Sequence, residues 1–141
     1  MGIGYTVEAG STTVALSMDT YSKGNVDATS IGAVVTAGDF VLTLASNNEE
    51  DTTAATAYDR TGDAMGVTYK VSETLSVQAY SGTTDDSKAA SYKITDTGVG
   101  ATYTITPGLT VSITNNSVEA TTDGGTKTTT DGTALALNVT F

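Results

Sequence analysis

The sequence contains no cysteine, no histidine and no tryptophan among its 141 residues. Without cysteine there can be no disulfide and no thiolate nucleophile. Without histidine and cysteine together, the common Ser–His and Cys–His catalytic arrangements cannot form, and most transition-metal sites lose their usual ligands. We therefore expect a protein that is not an enzyme and that carries no metal or other cofactor.

Basic residues are scarce as well. Six Lys and Arg stand against 16 Asp and Glu, so the formal net charge is −10. Proteins that bind nucleic acid neutralise phosphates with clustered Lys and Arg, and the six basic residues here are scattered along the chain. Nucleic acid is therefore excluded as an expected partner.

Long apolar runs are missing too. No stretch of 18 apolar residues is present, so the sequence predicts no transmembrane helix. The opening "MGIGYTVEAG" has neither the basic start nor the apolar run of a secretory signal. Charged residues make up only 16% of the chain, which is unlike a charge-rich disordered protein. The length suits a single domain, which we place at residues 1–141.

What the sequence does contain is alternation of apolar and polar residues with a period of two, which predicts β-strands. The clear runs extend over about eight to ten residues, close to the ~9–11 that a tilted strand needs to cross a bilayer. Nine such runs occur, and the sides that carry their apolar residues begin at Ile3, Val14, Ile31, Phe40, Val67, Leu75, Val99, Leu109 and Thr133.

The first eight runs form four repeated hairpins. Each hairpin has an alternating strand opened by glycine, a tight turn and a second alternating strand, as in "GVGATYTITPGLTVSIT". Gly10, Gly38 and Gly108 supply the positive backbone angles that such turns need. The segments between hairpins, such as "SNNEEDTTAATAYDRTGD", are long, polar and mostly acidic. We therefore expect short turns at one end of the sheet and long loops at the other.

Two all-β folds are compatible with this alternation. In a soluble or secreted β-sheet protein, such as a surface adhesin, the apolar face would pack into a core. In an antiparallel up-and-down transmembrane β-barrel, the apolar face would meet lipid and the polar face would line a wet lumen. The polar face here is rich in Gly, Ala, Ser and Thr, whereas soluble strands more usually carry Lys and Glu. The barrel is the favoured fold, and the soluble sheet is the alternative.

The last strand, "TALALNVTF", carries the most specific signal. Leu135, Leu137, Val139 and Phe141 occupy alternate positions up to the final residue. Together with the hairpins, this ending resembles the C-terminal half of Gram-negative outer-membrane porins of the alphaproteobacterial type. The sequence departs from that family in its few aromatic residues, seven Tyr and two Phe.

The resemblance implies a location in the cell outer membrane, contact with outer-membrane lipid, and passive diffusion of small hydrophilic solutes and ions. It also implies that the outer-membrane assembly machinery reads the terminal four-residue pattern, and that a homotrimer can form.

The number of strands bears on completeness. If Phe141 ends at the periplasmic rim, an odd count of nine places residue 1 on the opposite side, whereas bacterial barrels normally have an even number of strands. We therefore expect the chain to be the C-terminal portion of a larger barrel, with N-terminal strands and a signal peptide missing. A separate strand at residues 54–60 would change this parity.

The candidate pore-lining residues are the charged or amide residues on the polar sides of strands: Lys70, Gln78, Glu8 and Asp19. Charges in a lumen influence ion selectivity. Two further acidic groups, at residues 49–51 and 85–86, are predicted to be solvated loop charges, with calcium binding as the alternative. Their spacing does not match a calcium-loop motif.

Overall fold

The computed structural model describes residues 1–53, 57–87, 92–122 and 124–140. These residues form one antiparallel sheet of nine strands, and each strand pairs with the next along the chain. The strands are β1 (Gly2–Ala9), β2 (Thr12–Lys23), β3 (Val26–Ala37), β4 (Phe40–Asp51), β5 (Tyr58–Lys70), β6 (Leu75–Asp86), β7 (Tyr92–Thr106), β8 (Leu109–Thr121) and β9 (Lys127–Val139). The prediction of an all-β, antiparallel up-and-down fold is confirmed.

The sheet is not closed within the described residues, because β1 and β9 do not pair with each other. These two strands are therefore the edges of the sheet. No helix in the described part of the chain is long and apolar enough to span a membrane.

The pairing register divides the side chains into two faces, because residues directly opposite each other in an antiparallel sheet lie on the same side. Tyr5 pairs with Leu16, Leu16 with Ala33, Ala33 with Leu44, and Leu44 with Met65. We call this side the apolar face. It holds most of the large exposed apolar side chains of the described strands.

The opposite side is defined by its glycines, and we call it the glycine face. The nine glycines within the described strands all lie on it: Gly2, Gly4, Gly32, Gly62, Gly66, Gly82, Gly98, Gly100 and Gly132. Side chains of neighbouring strands lie over several of them. A Cβ atom at Gly98 would come within 2.5 Å of the Tyr80 ring, and one at Gly62 within 2.2 Å of Asn47 Oδ1. The small residues thus make room for their neighbours' side chains.

The described residues contain no buried apolar side chain, so the sheet has no hydrophobic core. Large apolar side chains remain open on the apolar face, with Ile3 73% and Leu135 75% exposed. A soluble sandwich would cover this face with a second sheet, and the described chain supplies no second layer. The apolar face must therefore be covered by something other than the described residues, as lipid would cover it in a barrel.

The border of the apolar face runs diagonally across the strands. We follow each strand toward the end of the sheet that contains the connection between β2 and β3. In that direction the last apolar residue on the apolar face is Ile31 in β3, and in β9 it is Leu135. When Ile31 is followed through the register, the level residue in β9 is Thr129, six residues away from Leu135. The border therefore shifts by close to one residue per strand.

If the border is a flat boundary, this shift gives the angle at which the strands are tilted against it. With a rise of ~3.4 Å per residue and a strand spacing of ~4.8 Å, one residue per strand corresponds to a tilt of about 35°. Met18 in β2 lies level with Ile31, and including that strand lowers the value to about 31° by the same geometry. Transmembrane barrels tilt their strands by ~35–45°. A flat boundary that crosses strands tilted in this way would produce such a diagonal border.

Three of the few aromatic residues mark the opposite border, near the tight turns. Phe40 and Tyr69 are paired and stacked, with ring centroids 4.4 Å apart. Tyr103 pairs with Leu75, one side-chain position closer to the turns than the level of Tyr69. The aromatic residues therefore follow the same diagonal, and this border position suits the interface with lipid headgroups.

The strands are longer and the loops shorter than the alternation predicts. All strands except β1 have 12 to 15 residues. The predicted long segment between β2 and β3 is reduced to Gly24 and Asn25. The other connections at this end, residues 52–57, 87–91 and 122–126, have five or six residues. Beyond the apolar border both faces are polar, so the alternation disappears although the strands continue.

At the opposite end, the predicted tight turns are confirmed. Two residues connect β1 to β2, β3 to β4 and β7 to β8, and four residues connect β5 to β6. The structure answers only in part whether residues 54–60 form a separate strand. Tyr58, Asp59 and Arg60 are the first residues of β5, whereas residues 54–56 lie outside the described residues.

A charge on the apolar face should destabilise the folded protein in a membrane. We expect Leu42→Arg to lower the free energy of unfolding in lipid vesicles by about 2–4 kcal/mol, because the guanidinium would enter lipid. The control, Thr43→Arg, lies on the glycine face and should change it by less than about 1 kcal/mol. Urea titration followed by tyrosine fluorescence measures both, and equal losses would contradict the assignment of the faces.

Two turn glycines with positive φ should differ in their tolerance of alanine. Gly10 has φ +63° and open space around it, whereas a Cβ at Gly108 (φ +81°) would lie 2.7 Å from the Thr140 carbonyl oxygen. We expect Gly10→Ala to cost about 1–2 kcal/mol, the usual penalty of left-handed backbone. Gly108→Ala should cost more in the same titration, because the alanine also meets a backbone atom. The reverse order would contradict this turn geometry.

Candidate functional site

The glycine face carries mostly small or neutral side chains in the part of the sheet whose other side is the apolar face. Examples are Thr6, Ala15, Thr43, Ala64 and Gly66. Such a wall offers hydroxyl and backbone groups to water and leaves space in front of it. It has the character of a barrel lumen surface rather than that of a packed interior.

All four predicted pore-lining residues, Glu8, Asp19, Lys70 and Gln78, lie on the glycine face. They do not form one group. Lys70 and Gln78 lie near the turn between β5 and β6, Glu8 lies near the first turn, and Asp19 pairs with Gly2 at the far end of β1. Their role in lining a pore remains a prediction.

The structure brings together a different set of charged residues on the glycine face. Arg60 in β5 pairs directly with Glu49 in β4 and with Asp86 in β6. Arg60 Nε donates a hydrogen bond to Asp86 Oδ2 at 2.9 Å. Asp86 is only 2% exposed and is the one buried polar residue among those described. The ion pair thus compensates a carboxylate that water does not reach.

Tyr58 joins this pair to Glu49. The Tyr58 hydroxyl donates a hydrogen bond to Glu49 Oε1 at 2.7 Å, and the Arg60 guanidinium carbon lies 4.3 Å from the centre of the Tyr58 ring. An arginine at this distance from an aromatic face is attracted by the ring electrons. We call Glu49, Tyr58, Arg60 and Asp86 the mouth cluster. It spans three strands at the end of the sheet with the longer connections.

The mouth cluster has a negative balance, since two carboxylates surround one guanidinium. Asp51, the last residue of β4, adds another carboxylate on the same face. Hydrogen bonds from the side chain and backbone of Thr53 lower the pKa of Asp51 below its usual value. Asp51 therefore stays ionised to lower pH, and the stabilising effect of its hydrogen bonds fades only as the pH falls through the lowered pKa.

Sequence reasoning missed the mouth cluster because it assigned residues 49–60 to a loop. Asp59 and Thr61 on the other face are also polar, so no apolar alternation marks this part of β5. A signal was nevertheless present. Tyr58 and Arg60 continue the parity of Gly62, which extends the glycine face of the strand by two positions.

The acidic groups predicted as loop charges lie within strands. Glu49 and Asp51 face the glycine side, Glu50 faces the apolar side, and Asp85 and Asp86 are likewise divided between the faces. Because successive side chains of a strand lie on opposite faces, acidic residues that are adjacent in the sequence have the sheet between their carboxylates. No group of three or more acidic residues in the described ranges is arranged to hold a metal ion.

The proposed assembly signal occupies the edge strand β9. Leu135, Leu137 and Val139 lie on the apolar face with 75%, 64% and 51% of their surface exposed. Phe141 lies outside the described residues. Recognition of this pattern by the assembly machinery remains a prediction.

Comparison with known proteins identifies a structural relative only. No protein-family model and no curated protein matches the chain. The fold is similar to that of the outer-membrane expressed OmpT of Vibrio cholerae, with a TM-score of 0.68 and 17% identity. The similarity covers 99% of this chain and 49% of that one, so the chain spans about half its length. At this identity the likeness shows the fold alone, that of an outer-membrane β-barrel.

Removing Arg60 from the mouth cluster should destabilise the protein, because the carboxylate of Asp86 is buried. We expect Arg60→Gln to lower the free energy of unfolding in vesicles by about 1–3 kcal/mol, because Asp86 loses the positive charge of the Arg60 guanidinium. The control is Lys127→Gln, which breaks the exposed pair with Glu119 (62% and 43% exposed) and should cost less than about 1 kcal/mol.

A double-mutant cycle tests whether Arg60 acts through Asp86. The double variant with Arg60→Gln and Asp86→Asn should be more stable than the sum of the two single effects predicts. Strict additivity would contradict the ion pair.

Proposed function

We propose that the protein forms the wall of an outer-membrane porin, a passive diffusion channel for small hydrophilic solutes and ions. The observation that carries the proposal is the division of the sheet into two unlike faces. One face bears an apolar band with a diagonal border, and the other bears the strand glycines and polar residues. This is the arrangement of a barrel with lipid outside and water inside.

The size of the inward residues favours an open lumen. Small barrels fill their interior with side chains, whereas porins leave an aqueous channel. Successive strands here present residues such as Ala45, Ala64 and Gly82 in one row of the glycine face. Side chains this small leave the space in front of the wall for water and solute.

Transport requires no chemical step in this proposal. A solute would exchange part of its water shell for hydroxyl and amide groups of the wall, such as those of Thr43 and Asn47, and leave on the other side. The acidic residues of the mouth cluster favour cations over anions at the entrance. This preference weakens at high ionic strength, because salt screens the charges.

The membrane environment places a demand on the edges of the sheet. Backbone groups that face lipid without a partner each cost several kcal/mol, so spanning sheets close into barrels. The edges formed by β1 and β9 must therefore be paired when the sheet lies in a membrane. In this proposal the wall belongs to a closed ring in the outer membrane, inserted by the assembly machinery through Leu135, Leu137, Val139 and Phe141, with a homotrimer as the expected assembly.

The alternative, a soluble or secreted adhesin-like sheet, receives less support. It would need the apolar face to be packed into a core, and the described residues contain no buried apolar side chain.

Conductance measurements test the proposal. The chain is refolded in detergent, its copy number is measured by light scattering, and it is added to planar lipid bilayers. We expect stepwise increases in ion conductance and a folded form that runs differently on gels before and after heating. A chain that is monomeric and folded in buffer without detergent, or folded in lipid without conductance, would contradict the porin function.

A further inference from the structure

A small recess interrupts the glycine face in the part of the wall formed by β4 to β7. It has a volume of about 200 Å³. Its floor consists of residues with little or no side chain, namely Ala45, Gly62, Ala64 and Gly82. Asn47, Thr84 and Ile94 border it toward the mouth cluster, and Asp96 lies at its side.

Asp96 is the charged group that the register places on this face at the recess. It pairs with Gly82 in β6 and with Val118 in β8. Its Oδ1 atom is closed to solvent and has no hydrogen-bond partner. A carboxylate oxygen in this state is costly, and a hydrogen-bond donor or a cation from outside the chain would compensate it.

The surrounding strands offer no cation to Asp96. Arg60 is engaged by Asp86 and Tyr58. Lys93, on the same strand as Asp96, has the opposite parity and lies on the apolar face. The neighbouring positions of β8 on the glycine face are Asn116, Val118 and Ala120. The negative charge of Asp96 is therefore not balanced by a basic side chain of the neighbouring strands described.

We propose that this recess is a cation-binding site in the lumen wall, with the Asp96 carboxylate as its charged ligand. The side-chain oxygens of Asn47 and Thr84 supply neutral ligands of the kind that hydrated cations accept. The occupant is a small cation that stops at the wall during passage. The part of this inference that concerns selectivity rests on the proposed porin function, whereas the binding itself does not.

Ion selectivity tests the role of Asp96 in passage. Reversal potentials are measured in a potassium chloride gradient near 0.1 M. We expect Asp96→Asn to lower the potassium to chloride permeability ratio by at least about twofold, and the effect to fade at 1 M, where the Debye length is ~3 Å. Asp96→Glu should retain most of the selectivity.

The matched control for this experiment is Asp131→Asn. It removes the same charge next to Thr130, which lies in the same row as Asp96, but from the apolar face of β9. It should leave the permeability ratio unchanged. If Asp96→Asn and Asp131→Asn behave alike while the wild-type channel conducts, the selectivity role of Asp96 is wrong and the porin function stands.

A binding measurement separates the site from the channel. The unfolding temperature of the protein in detergent is compared in potassium chloride and in tetraethylammonium chloride at equal ionic strength. We expect potassium to stabilise the wild type and Asp131→Asn more than tetraethylammonium does, since the latter is too large for the recess. This difference should vanish in Asp96→Asn. An equal response of all three proteins would overturn the site, whether or not the protein conducts.

Discussion

The structure depends on one constraint, the pairing of backbone N–H and C=O groups between neighbouring strands. The described residues contain no buried apolar side chain, so packing cannot hold this sheet together as it holds a soluble domain. Continuous antiparallel ladders do so instead, and among the described strands the register shifts only between Thr104 and Thr106 of β7. In lipid, where water cannot replace a lost hydrogen bond, such ladders are the condition for crossing at all. The division into two faces follows from the ladders, because register determines which side chains lie together.

The fold could be predicted where a strand has one apolar face and one polar face. Val14, Leu16 and Met18, for example, alternate with small or polar residues, and the prediction of a strand there is confirmed. The limits of the strands could not be predicted, because β4 and β5 continue where both sides are polar. The mouth cluster was missed for the same reason, since Arg60 and Asp86 are 26 positions apart and only the register of β5 and β6 makes them neighbours.

On the glycine face, the effect of a charged residue depends on whether its charge is paired, more than on how many charged residues there are. Arg60 balances Asp86, and the Tyr58 hydroxyl satisfies one oxygen of Glu49, so the mouth cluster is largely bound to itself. Asp96 differs, because one of its oxygens is closed to solvent and unpartnered. A carboxylate paired with an arginine changes the local potential less than a carboxylate without a partner. In the proposed pore, the position and pairing of a charged residue, more than the net charge of the chain, therefore determine its effect on an ion.

The diagonal border of the apolar face has a consequence for how such walls change size. A hairpin contributes two strands, and over two strands the border moves by close to two residues, which is one full period of the side-chain alternation. When a hairpin is added to the wall or lost from it, all the remaining strands therefore keep their apolar residues on the same face. A single strand would reverse the chain direction of all strands after it. The hairpin is thus the natural unit of gain and loss, and rings of different circumference can share the same local sequence pattern.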